Sequence, residues 1–136
     1  MKNNINISIK AIRDKGFFVD ESIVIVQENK IAYQIQSDMD ISAENNEVKV
    51  TYGVSFSQEE KVFLSGKVST FFQVESLKEY WNETEQNYAF PEQGLIILMG
   101  LAFSHTRAIL AKNTAGTLYE SYILPIVDPK QLISQK

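Results

Sequence analysis

The stretch "EVKVTYGVSFSQEEKVFLSGKVSTFFQV", Glu47 to Val74, decides the fold. Its first part alternates without a break: Val48, Val50, Tyr52, Val54 and Phe56 take one phase, and Glu47, Lys49, Thr51 and Ser55 the other. A period of two sends successive side chains to opposite faces, so this is a strand with one apolar and one wet face. The polar "SQEEK" is too short for a crossover helix, so the next run returns antiparallel. There Val62, Leu64, Val68, Phe72 and Val74 continue the apolar phase, while Phe63 and Phe71 fall on the polar one. Glu59 and Glu60 belong to the turn and face different ways; they are not a paired-carboxylate hydrolytic site.

Upstream, "IAYQIQSDMDIS", Ile31 to Ser42, repeats the pattern. Ile31, Tyr33, Ile35, Met39 and Ile41 are apolar, and Gln34, Gln36, Asp38 and Asp40 are polar. The asparagines of "ENNEV" supply the turn into the following strand. The result is a three-strand meander. At the N-terminus "INISIKAI" places Ile5, Ile7, Ile9 and Ala11 on one side and predicts a further strand. A long crossover connection, Arg13 to Asn29, follows it and carries Phe17, Phe18 and the run Ile23 to Val26.

Downstream the period changes. "ESLKEYW", Glu75 to Trp81, reads as a short helical turn, and "NETEQN" as a polar link. Pro91 suits the first turn of a helix and Glu92 suits the positive end of its dipole. The helix is expected from Pro91 to about Asn113, with Gly116 as its stop. Within it "GLIILMGLAF", Gly94 to Phe103, is apolar around the whole circumference, the mark of a helix buried on all sides. One sheet covers one side, so a second copy of the chain is expected on the other, with Leu95, Leu98, Met99 and Ala102 as the oligomer interface. The apolar run itself is shorter than the 17–25 residues or so that a bilayer requires, so no membrane insertion is expected. The last segment carries Pro125 and Pro129, with "PKQLI" as a possible final turn.

The 136 residues are expected to form one domain, 1–136, of α+β class: a four-stranded antiparallel sheet followed by one long helix. With 44% hydrophobic and 22% charged residues the chain can hold a core without staples. A net charge of −4 gives no basic patch, so nucleic acid is not an expected partner. There is no cysteine, which removes disulfides, thiol catalysis and cysteine-bound zinc, and no metal or other cofactor is expected. His105 is the single histidine and has no nucleophile or orienting group beside it in sequence, so no enzyme activity is expected. "GLIILMG" lacks the lysine of a phosphate-binding loop. "MKNNINISIK" shows no apolar leader core, which makes the cytoplasm the expected location.

These residues, in this order, resemble the SecB family of cytosolic export chaperones. Glu47 to Val74 resembles that family's central hairpin, with an acidic turn ahead of "FLSGKV" and an aromatic end. Phe103 and Arg107, in "FSHTR", match the Phe and Arg of the family's "LFPYAR" helix element, and "GTLYESYILPIVDPKQL" resembles its ending. The likeness runs from about Ile5 to Leu132. Met99 and Ser104 stand where family helices usually carry prolines, and the sequence ends without the acidic tail that helps engage the SecA motor.

The resemblance implies an ATP-independent holdase that binds unfolded or preprotein polypeptides, as a dimer or tetramer, for export. Phe17, Phe18, Ile23, Ile25 and Tyr33 are the expected client groove, since aromatic surface gives contact area without demanding one sequence. Asp38, Asp40 and Glu44 are an expected acidic face toward SecA; a solvated strand face is the plainer reading of the same residues. Relatives that serve toxin–antitoxin systems leave the client range open. Two further readings compete. A sheet with a helix after it can enclose a small apolar ligand, although such carriers use more strands and inward polar groups. A hotdog-type thioesterase would place the helix early in the chain, and here it comes late.

Overall fold

The computed structural model describes residues 5–25, 30–122 and 131. Four long strands, β1 (Ile7–Val19), β2 (Ile31–Ser42), β3 (Glu47–Gln58) and β4 (Lys61–Val74), form one antiparallel sheet in the order β1-β4-β3-β2. The meander β2-β3-β4 and the α+β class are as the alternation predicts. The chain then makes a 3-10 turn at Leu77–Tyr80 and a small hairpin of β5 (Trp81–Asn82) and β6 (Asn87–Tyr88). Helix α1 (Glu92–Thr114) follows.

The alternating apolar phase of β3 is buried throughout: Val48, Val50, Tyr52, Val54 and Phe56 all lie in the core. Asn46, with φ 52°, makes the left-handed corner between β2 and β3, and its side-chain oxygen accepts from the Leu77 amide at 3.2 Å. Pro91 ends an extended segment, and its carbonyl accepts from the Leu95 amide at 3.1 Å as the helix begins. Gly116, φ +85°, turns the chain away past the helix end. Along one sheet face α1 packs against β4, β3 and, at its flank, β1. The approach is close at Gly66, where an added Cβ would stand 3.0 Å from Leu110 Cδ1, and at Gly94, where it would stand 2.8 Å from Ile5 Cγ2. Thr106 and Thr114 return their hydroxyls to the carbonyls of Ala102 and Leu110, so both are buried without loss.

Bulges reassign several residues. The β3–β4 register passes from Phe56↔Leu64 to Ser57↔Val62, which leaves Phe63 as an extra residue. Phe63 and Leu64 are therefore both buried while Val62 is exposed, the reverse of simple alternation. On β1 the register skips Lys10 and Lys15. Ile9 pairs with Phe72 and Ile12 with Thr70, so these two isoleucines share the helix-side face and Ala11 goes to the other. β1 also runs through Arg13 to Val19, the first seven residues of the expected crossover connection, so Phe17 and Phe18 lie in a strand and not in the connection.

The helix buries most of the residues expected at an oligomer interface. Leu98, Met99 and Ala102 are at most 1% exposed, buried by this chain's own sheet, and Leu95 is half-buried. Leu98, Met99 and Ala102 offer nothing to a second copy because the chain's own core already covers them. The large apolar side chains that α1 leaves exposed are Ile97 and Leu101. At 23 residues α1 is, by length and composition alone, long and apolar enough to cross a membrane, contrary to the length argument from its central run. Its packing against β3 and β4 is that of a core helix. The readings placed on Val26, Pro125 and Pro129 lie outside the described residues.

Candidate functional site

β2 and β3 pair in unbroken register, Tyr33↔Phe56, Ile35↔Val54, Met39↔Val50 and Ile41↔Val48, so β2's apolar row lies on the helix side of the sheet. α1 is centred over β4 and β3 and covers β2 little. Ile31, Ile35, Met39 and Ile41 are consequently half-buried, packed against the core by one flank only. Tyr33 is 50% exposed. The row is an apolar ledge beside the helix.

At one end the ledge meets an aromatic cluster around the β3–β4 turn. Tyr33 lies 6.0 Å from Phe56 between ring centroids, Phe56 lies 6.4 Å from Phe63, and Phe63 lies 4.6 Å from Tyr119. Tyr122 closes on Phe56 at 6.2 Å and on Phe63 at 5.9 Å. The crossover segment after β1 is tied to this cluster. The Asp20 amide donates to the Phe63 carbonyl at 2.9 Å, and the Gln58 side-chain amide donates to the Val24 carbonyl at 2.8 Å. The Tyr119 hydroxyl sits between the carbonyls of Asp20 (2.8 Å) and Ile23 (2.5 Å). Burial, then the charges of Asp20 and Glu21, push its pKa upward and keep it a neutral donor. Asp20 itself is held below the usual carboxylate range by the hydroxyl and amide of Ser22.

This geometry brings together part of the predicted groove. Tyr33, Ile23 and Ile25 lie on the same aromatic end, the last two half-buried against the core, and Val24 between them is exposed. Phe17, opposite Gly66, is half-buried on the helix side at the far edge strand. Phe18, opposite Ser65, is exposed on the other face of the sheet. The two phenylalanines thus point to opposite faces and form no common wall, because neighbours in a strand always diverge. Phe56, Phe63, Tyr119 and Tyr122 were missed as site residues. Phe63 was hidden by its bulge, and Tyr119 and Tyr122 lie in a stretch without periodicity.

The acidic residues lie apart from the ledge. Asp38 and Asp40 are exposed on the open face of β2, and Glu44 is exposed in the 3-10 turn at Ala43–Asn45. Lys49 approaches Asp40 at 3.4 Å, and Lys10 pairs with Glu47 at 2.9 Å on the same face. That face is mixed in charge. His105 donates or accepts at Thr70 Oγ1, 3.0 Å from Nδ1, under the helix. No group of three or more metal-ligating side chains occurs among the described residues.

Space for an enclosed ligand is scarce where α1 meets the sheet. Leu98, Met99, Ala102 and Phe103 fill it, with Phe103 edge-on to Tyr52 at 5.4 Å. The cleft beside Gly16, Gly66 and Leu110 has no room for a water-sized molecule.

No protein family profile matches the chain, and no curated protein matches it in sequence. Solved structures do match. The Mycobacterium tuberculosis SecB-like chaperone Rv1957, solved in complex with a ChAD peptide from the Rv1956 HigA1 antitoxin, is similar with a TM-score of 0.56. That likeness covers 89% of this chain and 90% of the other at 11% identity. A Streptococcus agalactiae protein of unknown function is similar over 91% of this chain and 98% of its own, with a TM-score of 0.45 and 10% identity. The first likeness shows that this chain has a SecB-like fold.

Proposed function

We propose that the chain is an ATP-independent holdase that captures unfolded polypeptide on the β2 ledge and its aromatic end. The observation that carries this reading is the apolar row of β2, Ile31, Tyr33, Ile35, Met39 and Ile41, interrupted by Ser37, which among the described residues is half-buried and, at Tyr33, exposed. Apolar surface rimmed by polar residues marks a binding site. Aromatic and aliphatic groups without a fixed hydrogen-bond pattern bind many sequences. The SecB-like fold, and the peptide held by the chaperone that shares it, support the same reading. The filled helix–sheet interface gives the small-ligand carrier no comparable support.

The working form in this proposal is a homo-oligomer. Ile9 and Ile12 are exposed on the helix side of edge strand β1. Ile12 pairs with Thr70, Thr70 bonds His105, and Leu101 lies one turn before His105 on α1. Ile9 and Ile12 on β1 and Ile97 and Leu101 on α1 are the exposed apolar side chains on which, in this proposal, a second copy packs about a two-fold axis. Export, with delivery to SecA across Asp38 and Asp40 in the cytoplasm, is the fuller form of the proposal.

Binding of a permanently unfolded, fluorescently labelled polypeptide tests the reading. Micromolar affinity without nucleotide, lost on competition by a second unfolded chain, is the expected result. No binding at tens of micromolar, or binding only to folded proteins, would remove it.

A further inference from the structure

The hairpin of β5 and β6 lies outside the site described above. It has two residues in each strand, and a hairpin of that size does not hold by itself. Here it is anchored from one side: Tyr88 and Phe90 pack on the core, and the Ala89 amide donates to the Tyr80 carbonyl at 2.8 Å. Four rings follow one another from the interior outward. Tyr80 is buried with its ring 5.5 Å from that of Phe90, Phe90 stacks on Tyr88 at 6.3 Å, and Tyr88 meets Trp81 edge to face at 5.0 Å. Trp81, the one tryptophan of the sequence, stands exposed at the outer end. The Asn82 side-chain oxygen shapes the turn beyond it, accepting from the amides of Thr84 and Glu85 at 3.0 and 3.1 Å. An exposed indole is thus braced from behind by the core.

The charge that accompanies the indole is of one sign. Glu79 precedes it in the 3-10 turn, Glu83 and Glu85 are exposed in the hairpin turn, and Glu92 opens α1 after Phe90. From Glu79 to Thr106 the sequence holds no lysine or arginine. The open face of the large sheet differs, since there Lys10 and Lys49 accompany Glu47 and Asp40. A solvated turn accounts for the glutamates alone, and a cross-strand staple accounts for Trp81 alone. Neither accounts for an open indole in a segment whose only charges are negative. We propose that the hairpin docks an arginine-bearing segment of another polypeptide, apart from client capture on the ledge. The face of an indole attracts a cation, and a planar guanidinium stacks on it while its N–H groups reach carboxylates. Arginine therefore uses Trp81 and the turn glutamates Glu83 and Glu85 together. Lysine, a compact and strongly hydrated charge, gains mainly from the glutamates. Tryptophan and arginine are also the side chains that most often carry the binding energy of an interface.

The test uses the full chain and labelled peptides of about ten residues in which arginine alternates with glycine or serine, with lysine and glutamate versions as controls. Without apolar side chains these peptides have no purchase on the ledge. Trp81 reports contact directly, since no other indole contributes to the emission. The arginine peptide is expected to bind in the micromolar range, to shift Trp81 emission, and to weaken roughly tenfold between about 0.05 and about 0.5 M salt. The lysine peptide is expected to bind several-fold more weakly, and the glutamate peptide not at all. Glu83→Gln with Glu85→Gln alters exposed charges and keeps the shape of both side chains; it is expected to weaken the arginine peptide roughly tenfold. Trp81→Leu is expected to erase the preference for arginine over lysine. Equal binding of the two basic peptides to the wild type, or undiminished binding to the double glutamine variant, would overturn the proposal. So would arginine-peptide binding that leaves Trp81 emission unmoved, or that an excess of unfolded polypeptide lacking arginine displaces, since the peptide would then sit on the ledge. Absence of binding at hundreds of micromolar would equally remove it, with the holdase reading untouched.

Discussion

Tyr33 and Phe56 face each other across the β2–β3 pair with ring centroids 6.0 Å apart, yet Phe56 is 6% exposed and Tyr33 is 50% exposed. One ring belongs to the core and the other to the surface that the account assigns to clients. Substitution separates them. Tyr33→Ser is expected to weaken polypeptide capture several-fold while moving Tm by only a few degrees. Phe56→Ala is expected to cost about 3–5 kcal/mol of stability, read by denaturant unfolding. Equal damage to stability from both would show that Tyr33 is a core residue.

The two faces of α1 give a second pair. Leu98 is fully buried against the sheet, so Leu98→Ala is expected to cost about 2–5 kcal/mol in any assembly state. Leu101 is exposed and belongs to the proposed interface, so Leu101→Asp is expected to yield a folded monomer by sedimentation, since a charge in an apolar interface goes unpaired. An unchanged oligomer mass for Leu101→Asp would place the interface elsewhere.

The β3–β4 turn is built from residues poorly suited to it. Glu59 and Glu60 both adopt positive φ, 51° and 67°, where hairpin turns favour asparagine and glycine. The double change Glu59→Asn with Glu60→Gly is expected to raise stability by about 1 kcal/mol, visible as an increase in Tm. A fall in Tm would mean that the two glutamates make compensating contacts in the folded chain.

His105 predicts a dependence on pH. Burial beneath the helix lowers its pKa from the ordinary 6.5. Its Nδ1–Thr70 contact survives either protonation state, because a hydroxyl both donates and accepts. Between the lowered folded pKa and the ordinary one, the unfolded chain binds more protons, so stability rises with pH across that window. The contribution is complete above the ordinary pKa and is lost as pH falls through the folded one. Tm is expected to drop from about pH 7.5 to about pH 5.5 in the wild type and to drop less in His105→Gln. Asp20, whose pKa is lowered from 3.8, acts only at more acid pH and does not blur the comparison.

The meander was legible because β2 alternates apart from Ala32 and Ser37, and β3 alternates from Glu47 to Ser57. The helix was legible from Pro91, its apolar run and Gly116. The sheet's bulges were not, since Lys10, Lys15 and Phe63 carry no local signal and yet each shifts the facing of every later residue by one. That is why Phe63 went unrecognised as core, and why Ile9 and Ile12 were not seen as neighbours. The working face of α1 was also illegible: a helix apolar on every side has no sequence preference for which side meets the sheet. Among the residues proposed for client capture, Tyr33 is named by the sequence reading and stands exposed beside Phe56. Tyr119 and Tyr122 became site residues only through tertiary contact with Phe63.

Light scattering from a slowly refolding, aggregation-prone reporter, with and without equimolar subunits of this protein and no nucleotide, tests the central claim most directly. Suppressed aggregation that returns when a competing unfolded chain is added is the expected result. Aggregation that proceeds unchanged at every ratio of the two proteins would contradict it.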